Sequence, residues 1–562
     1  MVFMMAMLAH LRSGASSGLR RASSYAVEFL AMRILNRAGA AALVALAALT
    51  TVSAQRAVDL DAATIADVSA AFARGTLTSE RLTQMFLARI DAYDRKGPML
   101  RSVITVNPKA IETARAMDEE RKARGPRSAL HGIPIVLKDN IDTADLPTTG
   151  GSVLLEGSMP PDDAFVVKKL RAAGAVVVAK VNLSEFASGA AHSSLGGQIL
   201  NPHDLTRSPS GSSGGTGASI AAAFAMAGLG TDTGGSVRGP STANGIAGLK
   251  TTMGLVSRDG VIPLALSFDT VGPMARSVHD VAAMLGVIAG VDPADSATKA
   301  GEGRGADYTQ SLKADALKGA RIGIARDFLG QDTDVDWVME SSLEAMRKHG
   351  ATIVDVRLPK WLLDAKGEYY NAIRYPEFVV QIADYLKTLG PKYPKTITEL
   401  VEQARRVNAP RPDGASPNPG RWSLMVRESA SGTLNDYQYT SVRDHGLPLV
   451  RAILAGVFKS ANLDAIAYPT ASRRPQRIDA PPEPPGGAST SGSNLANLSG
   501  LPELIVPAGF STEDLPIGIS FIGQAFSEPR LLGIGYAFEQ ATKARRLPVH
   551  TPLRPGESIA VP

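Results

Sequence analysis

Apolar positions recur at helical spacing almost from the start of the ordered-looking chain. Between Asp59 and Lys96 they fall on one face at Ile65, Val68, Ala71 and Phe72, then at Leu82, Met85, Phe86 and Ile90 after the capping pair Thr78-Ser79. Further on the period changes. Short β-branched runs at 103–106, 133–137, 176–179, 322–325 and 353–356 alternate with helical patterns at 163–173 and 335–349. The C-terminal part repeats the alternation at 463–468, 504–506 and 517–522, before a last helix over 529–542. Strands alternating with helices predict an α/β sheet flanked by helices. No internal repeat is present. Two Pro/Gly/Ser-rich stretches, 409–421 and 473–493, read as long surface loops, either substrate-gating or functionless insertions.

The N-terminal segment has a different pattern. Met32-Arg-Ile-Leu-Asn-Arg leads into an Ala/Leu/Val run over 38–49, followed by small residues at Val52 and Ala54. This is the three-part layout of a secretory signal peptide, and its apolar run is shorter than a spanning helix needs. The pattern predicts translation from Met32, a leader over 1–54, cleavage after Ala54, and export to the periplasm or medium; an uncleaved anchor is the alternative. No other segment is long and apolar enough to span, so no stable membrane span is expected in the cleaved form.

Charge then changes the picture. The 562 residues carry a formal charge of +5, but the first 54 hold five arginines against Glu28 and account for +4 of it. The mature chain is nearly neutral and offers no phosphate-binding surface, so nucleic acid is set aside as a partner. With no cysteine there is neither a disulfide framework, nor a thiolate nucleophile, nor a Cys-ligated metal. Serine, lysine and carboxylate chemistry remain.

Candidate chemistry concentrates between Arg207 and Lys250. Ser-Pro-Ser-Gly-Ser-Ser-Gly-Gly-Thr-Gly (208–217) runs into an apolar stretch read as a helix over 218–227, then into Gly-Leu-Gly-Thr-Asp-Thr-Gly-Gly-Ser-Val-Arg-Gly-Pro (228–240). A phosphate cradle fails, because Gly245-Ile-Ala-Gly-Leu-Lys-Thr lacks the Gly-Lys pair. A nucleophile elbow is matched by Gly211-Ser-Ser-Gly-Gly, yet none of His279, His349, His445 and His550 has a motif around it. A serine nucleophile without histidine needs another base and a set of oxyanion donors. Lys138 follows the apolar run in His-Gly-Ile-Pro-Ile-Val-Leu-Lys-Asp-Asn (131–140), so its ammonium is carried into the interior. To be half deprotonated at neutrality its pKa must fall by roughly 3 units, on the order of 4–5 kcal/mol, which burial supplies.

These residues resemble the amidase signature family of Ser–cis-Ser–Lys amide hydrolases. The Lys-Asp-Asn after a Gly-Ile-Pro strand, the Gly-Ser-Ser-Gly-Gly turn and the Gly-Thr-Asp-Thr-Gly-Gly-Ser-Val-Arg segment occur in the family's order, with 74 residues from Lys138 to Ser212 and 24 from Ser212 to Ser236. The likeness extends from about residue 59 through Asn182-Leu-Ser-Glu, Asn201-Pro and Gly248-Leu-Lys-Thr to Glu528-Pro-Arg and Ala544-Arg-Arg. It implies one domain over 55–562 with a central mixed β-sheet flanked by helices and a variable substrate region at about 361–445. It implies Ser236 as nucleophile, Ser212 as the bridging serine after a cis Gly211–Ser212 link, and Lys138 as base. The backbone N–H groups of Thr233, Gly234, Gly235 and Ser236 would form the oxyanion hole. Ser213 is expected to hydrogen-bond Lys138, and Asp232 and Arg238 to hold the nucleophile loop. Ala187, Ser188 and Gly189 align with the family's acyl-side lining, and their small size suggests an open pocket. Position 210 is Ser where many members have Gly.

Within the family, Asp94-Arg-Lys-Gly-Pro, Asn107-Pro, Gly254-Leu-Val-Ser-Arg-Asp-Gly and Ser527-Glu-Pro resemble exported bacterial peptide amidases and aryl acylamidases. The resemblance implies hydrolysis of a peptide carboxamide or aryl amide, with carbamate or ester cleavage beside it, water as second substrate, and no metal or organic cofactor. Specificity is expected to come from 361–445, whose Tyr369, Tyr370, Tyr375 and Tyr385 are read as core, and from the 473–493 loop. Two alternatives stay open: a glutaminase-like subunit of a tRNA-dependent amidotransferase, and an exported binding protein on the same scaffold. Nothing in the pattern points to one oligomeric state.

Overall fold

A computed structural model describes residues 56–305, 307–480 and 491–561. The leader, with Met32 and the cleavage site after Ala54, lies outside the described residues, as does 481–490 of the second loop. Residues 57–561 form one unit.

The two opening helices form where the periodicity places them. In α1 (Ile65–Arg74) the Thr64 hydroxyl accepts from the Asp67 N–H at 3.1 Å while the Asp67 carboxylate accepts from the Thr64 N–H at 2.9 Å, a reciprocal cap, and Gly75 closes the helix at φ 70°. In α2 (Ser79–Arg89), capped by Thr78, the residues Leu82, Met85 and Phe86 are buried. The remaining helices used below are α3 (Ala110–Arg124), α4 (Phe165–Ala172), α5 (Gly214–Ala221), α6 (Arg238–Ala243), α7 (Val278–Ile288) and α8 (Thr333–Lys348). They continue with α9 (Lys360–Thr388), α10 (Ile397–Ala404), α11 (Pro419–Ser429), α12 (Tyr437–Ser441), α13 (Leu447–Ala461), α14 (Leu495–Ser499) and α15 (Glu528–Thr542).

The frame is an 11-stranded sheet. Its strands are β1 (Val103–Val106), β2 (Pro134–Lys138), β3 (Val176–Val181), β4 (Ala227–Asp232), β5 (Ala247–Lys250), β6 (Thr270–Ala275), β7 (Arg321–Ala325), β8 (Thr352–Val356), β9 (Ala465–Pro469), β10 (Glu503–Phe510) and β11 (Pro516–Ile522). The spatial order is β8-β7-β9-β11-β10-β5-β6-β4-β2-β3-β1. Pairs β2–β3, β2–β4, β7–β8 and β7–β9 are parallel and the others antiparallel, so the sheet is mixed, as the resemblance implied. Helices cover both faces. Ile135 and Leu137 of β2 join a core with Val281 and Leu285 of α7, Leu343 of α8 and Phe538 of α15. The alternate residue Val136 joins a second core with Ile220 of α5 and Phe224. A strand buried on both faces reads as a continuous apolar run, which is why β2 and β3 were legible.

The glycine-rich centre is where pattern and structure part. The predicted helix over 218–227 is corrected: α5 ends at Ala221, and Ala227 already begins β4. Strands β4, β5 and β6 (Ala-Gly-Leu-Gly-Thr-Asp, Ala-Gly-Leu-Lys, Thr-Val-Gly-Pro-Met-Ala) carry little β-propensity and were not expected. Their glycines answer to packing. A methyl group at Gly230 would lie 2.7 Å from Ser213 Oγ and 2.8 Å from Met274 Sδ, so only glycine lets α5 approach the sheet this closely.

The 361–445 region is helical, formed by α9 to α12. Its Phe378, Ile382, Leu400 and Trp422 build a separate core with Leu155, Phe186 and Ile262.

Candidate active site

Parallel strands β2 and β4 end side by side, and their last residues supply Lys138 and Asp232. Between them stands the N-terminus of α5, preceded by Ser212 and Ser213. The Gly211–Ser212 peptide is cis, as the resemblance implied.

Lys138 is fully buried. Its Nζ lies 2.7 Å from Ser212 Oγ, 2.8 Å from Thr231 Oγ1 and 3.4 Å from the Thr231 carbonyl. Burial pulls its pKa down to about 7, against the opposing pull of Asp232 and Asp269. A large fraction is therefore neutral at physiological pH and carries a lone pair. Ser213 does not meet Lys138, contrary to expectation. Its hydroxyl lies 3.2 Å from the Thr231 carbonyl and 3.3 Å from the Thr231 N–H, so it braces the strand that carries the lysine's real partner. A serine at the head of a helix packed on β4 reaches the strand backbone first.

Ser236 is half-buried on the wall of a cavity of about 440 Å3. Its carbonyl accepts from the Ser213 N–H at 3.2 Å, while its Oγ has no hydrogen-bond partner among the described residues. Lys138 and Ser212 are thus in contact, while no hydrogen bond joins Ser212 to Ser236 among the described residues.

Asp232 and Arg238 hold the loop between them. The Asp232 carboxylate accepts from the N–H groups of Gly235 (2.9 Å) and Val237 (2.9 Å) and from Arg238 Nε (3.1 Å) and Nη2 (3.1 Å). Burial would raise its pKa, but the Arg238 guanidinium outweighs it and holds the carboxyl well below the usual range. Arg238 continues to Glu503 at 2.7 Å and Asn497 at 2.5 Å. This network corrects the oxyanion expectation at one position: the Gly235 N–H is spent on Asp232. Those of Thr233, Gly234 and Ser236 have no acceptor among the described residues and remain for a developing oxyanion.

Several supporting residues escaped sequence reasoning. Thr231, Asn497, Glu503 and Asp269 are all buried. The Thr233 hydroxyl donates to Asp269 at 2.5 Å, and burial pushes the Asp269 carboxyl up to about 6. Asn497 and Glu503 stand as polar residues inside the apolar stretch 495–506, a signal that marks an interior partner without naming it.

The structure does not bring the expected acyl-side residues to the cavity wall. The Gly189 carbonyl would lie 3.4 Å from a methyl group placed at Gly211, but Ala187, Ser188 and Gly189 do not line the cavity beside Ser236. They are held instead by the variable region. The Ser188 hydroxyl accepts from Arg374 of α9 at 2.8 Å; Arg374 also meets Glu428, which takes Arg421 at 2.8 Å, and Arg421 Nε donates to the Glu185 carbonyl at 3.0 Å. One face of α9 runs along the site in steps of about a turn. A methyl group at Gly234 would sit 2.9 Å from Tyr370 Oη; Glu377 accepts from the Ser267 N–H, Gln381 from that of Leu266, and Tyr385 donates to Asp142 at 2.8 Å. Tyr370 thus stands beside the nucleophile loop, while Tyr385 belongs to the separate core, as read from the sequence.

A family model described as Amidase matches residues 81–532, which include every one of these groups. The chain belongs to the amidase family. It hydrolyses amide C–N bonds with water as second substrate, the activity its family membership carries. Among solved structures, native peptide amidase from Stenotrophomonas maltophilia is 39% identical, covering 87% of this chain and 99% of its own, with a TM-score of 0.76. An amidase family protein from Bacillus anthracis is 31% identical over 86% of this chain and 92% of its own, with a TM-score of 0.77. A glutamyl-tRNA(Gln) amidotransferase subunit from Chloroflexus aurantiacus is 38% identical over 488 residues, 85% of this chain and 96% of its own length.

Proposed function

We propose that this amidase is exported and cleaves peptide carboxamides or aryl amides through an acyl-enzyme on Ser236. Neutral Lys138 accepts a proton from Ser212 as Ser212 accepts one from Ser236, and the Ser236 Oγ attacks the scissile carbonyl. The carbonyl oxygen, now anionic, is met by the N–H groups of Thr233, Gly234 and Ser236. The proton returns along the relay to the departing amine; water then attacks the acyl-enzyme, its proton passing to the relay, and releases the acid. The observation that carries this reading is the 2.7 Å contact between Ser212 Oγ and a fully buried Lys138 that, among the described residues, no carboxylate neutralises by direct contact. Likeness to a peptide amidase supports the substrate class. The leader pattern supports export.

Purified 55–562 protein and its Ser236→Ala variant, offered peptide carboxamides, anilides, carbamates and short esters, test the chemistry. Turnover by the first alone is expected; equal silence, with no labelling of Ser236 by a serine-reactive probe, would favour the binding-protein alternative. The identity to the Chloroflexus amidotransferase component supports a second reading, a glutaminase-like subunit bound to partners. Ammonia release from glutamine in preference to the panel would favour it. N-terminal sequencing of exported protein is expected to begin at Gln55, and a chain that still begins at Met32 or Met1 would overturn export with cleavage.

A further inference from the structure

The cavity beside Ser236 is reached by three arginines, Arg238, Arg473 and Arg474, and by no aspartate or glutamate among the described residues. Two of the three are already neutralised. Arg238 is buried against Asp232 and Glu503. Arg474 meets Asp332 at 2.8 Å, Asp334 at 3.2 Å and Glu513 at 3.3 Å. Arg473 is different. It is exposed to solvent, and its polar contact is a hydrogen bond from Nη2 to the neutral Gln331 Oε1 at 3.2 Å, with no ion pair to a carboxylate among the described residues. The rest of the wall is rich in hydroxyl groups, with Ser210, Thr470, Ser472 and Ser493 among them.

We propose that Arg473 anchors a free carboxylate on the substrate, so that the preferred substrates are amides that keep one carboxylate apart from the scissile bond. The inference rests on Ser236 being the nucleophile. A guanidinium presents a planar pair of N–H donors that matches a carboxylate. One uncompensated cation at the wall suits one negative charge. A doubly charged group would also feel Asp332, Asp334 and Glu513, which stand around the neighbouring Arg474, and like charges at that range repel. The 473–493 loop, expected from sequence to shape specificity, contributes this residue directly. Arg473 takes no part in bond making; it holds the substrate while the relay acts.

The test uses two matched pairs. One carries the carboxylate on the acyl half, the mono-4-nitroanilide of glutaric acid and its methyl ester. The other carries it on the amine half, an N-acyl-4-aminobenzoate and its methyl ester. Binding is measured by calorimetry on Ser236→Ala protein, which keeps the cavity. In at least one pair the acid is expected to bind about tenfold more tightly than the ester, the size of one charge-assisted contact at a solvent-reached wall, and the pair that shows it tells which half lies against Arg473. Added salt is expected to shrink the difference. Arg473→Gln in the same background is expected to abolish it, and Arg473→Lys to restore part. Equal binding of acid and ester in both pairs, or a preference unchanged by Arg473→Gln, would overturn the proposal. With Ser236 intact, the preference is expected in KM rather than kcat. Cleavage of both members alike, with equal binding, would leave the hydrolase reading standing and remove the subsite; a preference in binding without any turnover would do the reverse.

Discussion

A lysine buried without a carboxylate in contact escapes the cost of its charge in one way, by losing its proton. Burial brings Lys138 to about 7, so a large fraction carries no proton near neutrality, which suits the base role proposed for it. Activity is therefore expected to fall as pH drops through about 7, because protonation removes the lone pair; a kcat/KM profile flat from pH 6 to 8 would contradict this. Replacing Lys138 by Met keeps the volume and removes the base, and a loss of about 10²- to 10⁴-fold in kcat is expected from stopped assays at saturating substrate. The direction of stability follows from the same shift. Between about pH 7 and the unperturbed lysine value the unfolded chain binds a proton that the native chain does not, so this group makes the protein more stable as pH rises through that window and less stable as pH falls. Lys138, Ser212 and Ser236 were legible as residues because their motifs are local. Thr231 was not, since nothing in Gly-Thr-Asp says that the threonine side chain turns to a lysine 93 residues earlier.

Elements show what the residue pattern omits. Apolar runs marked β2 and β3, while β4, β5 and β6 stayed hidden because their glycines serve close packing and not strand propensity, Gly228 and Gly230 against α5 and its head, Gly248 and Gly272 against Val237 before α6. Gly230→Ala forces a methyl group to within 2.7 Å of Ser213 Oγ, and a loss of about 1–3 kcal/mol in urea unfolding is expected, with activity falling as α5 shifts. Helix α9 was read as part of a variable region and its tyrosines as core; the fold lays it along the site. The buried Arg374–Glu428–Arg421 group joins α9 and α11 to the segment 185–188. Glu428→Gln leaves two buried arginines without their shared counter-charge, and about 3–5 kcal/mol of destabilisation is expected, read as a lower thermal midpoint. A midpoint unchanged within error would show that the arginines find other partners.

Across the whole molecule the chain closes on itself. Arg89 at the end of α2 donates to Glu557 at 2.5 Å, to the Thr551 carbonyl at 2.8 Å and to the Ala222 carbonyl at 3.0 Å, tying the first helices, the glycine-rich centre and the last residues together. Glu557→Gln is expected to lower the thermal midpoint and leave KM in place, because the pair lies in the frame and outside the cavity; calorimetry beside a KM measurement checks both. Hydrophobic period by itself determined an α/β sheet flanked by helices, and three ordered motifs, through their resemblance to the amidase family, singled out Lys138, Ser212 and Ser236, because those features are properties of short segments. Tertiary structure alone decided which threonine meets the lysine, that Asp232 takes the Gly235 N–H, how α9 borders the nucleophile loop, and which arginine at the cavity has no ion pair among the described residues. Each of these joins residues from separate segments, and only packing fixes how buried polar groups divide a limited set of partners among themselves.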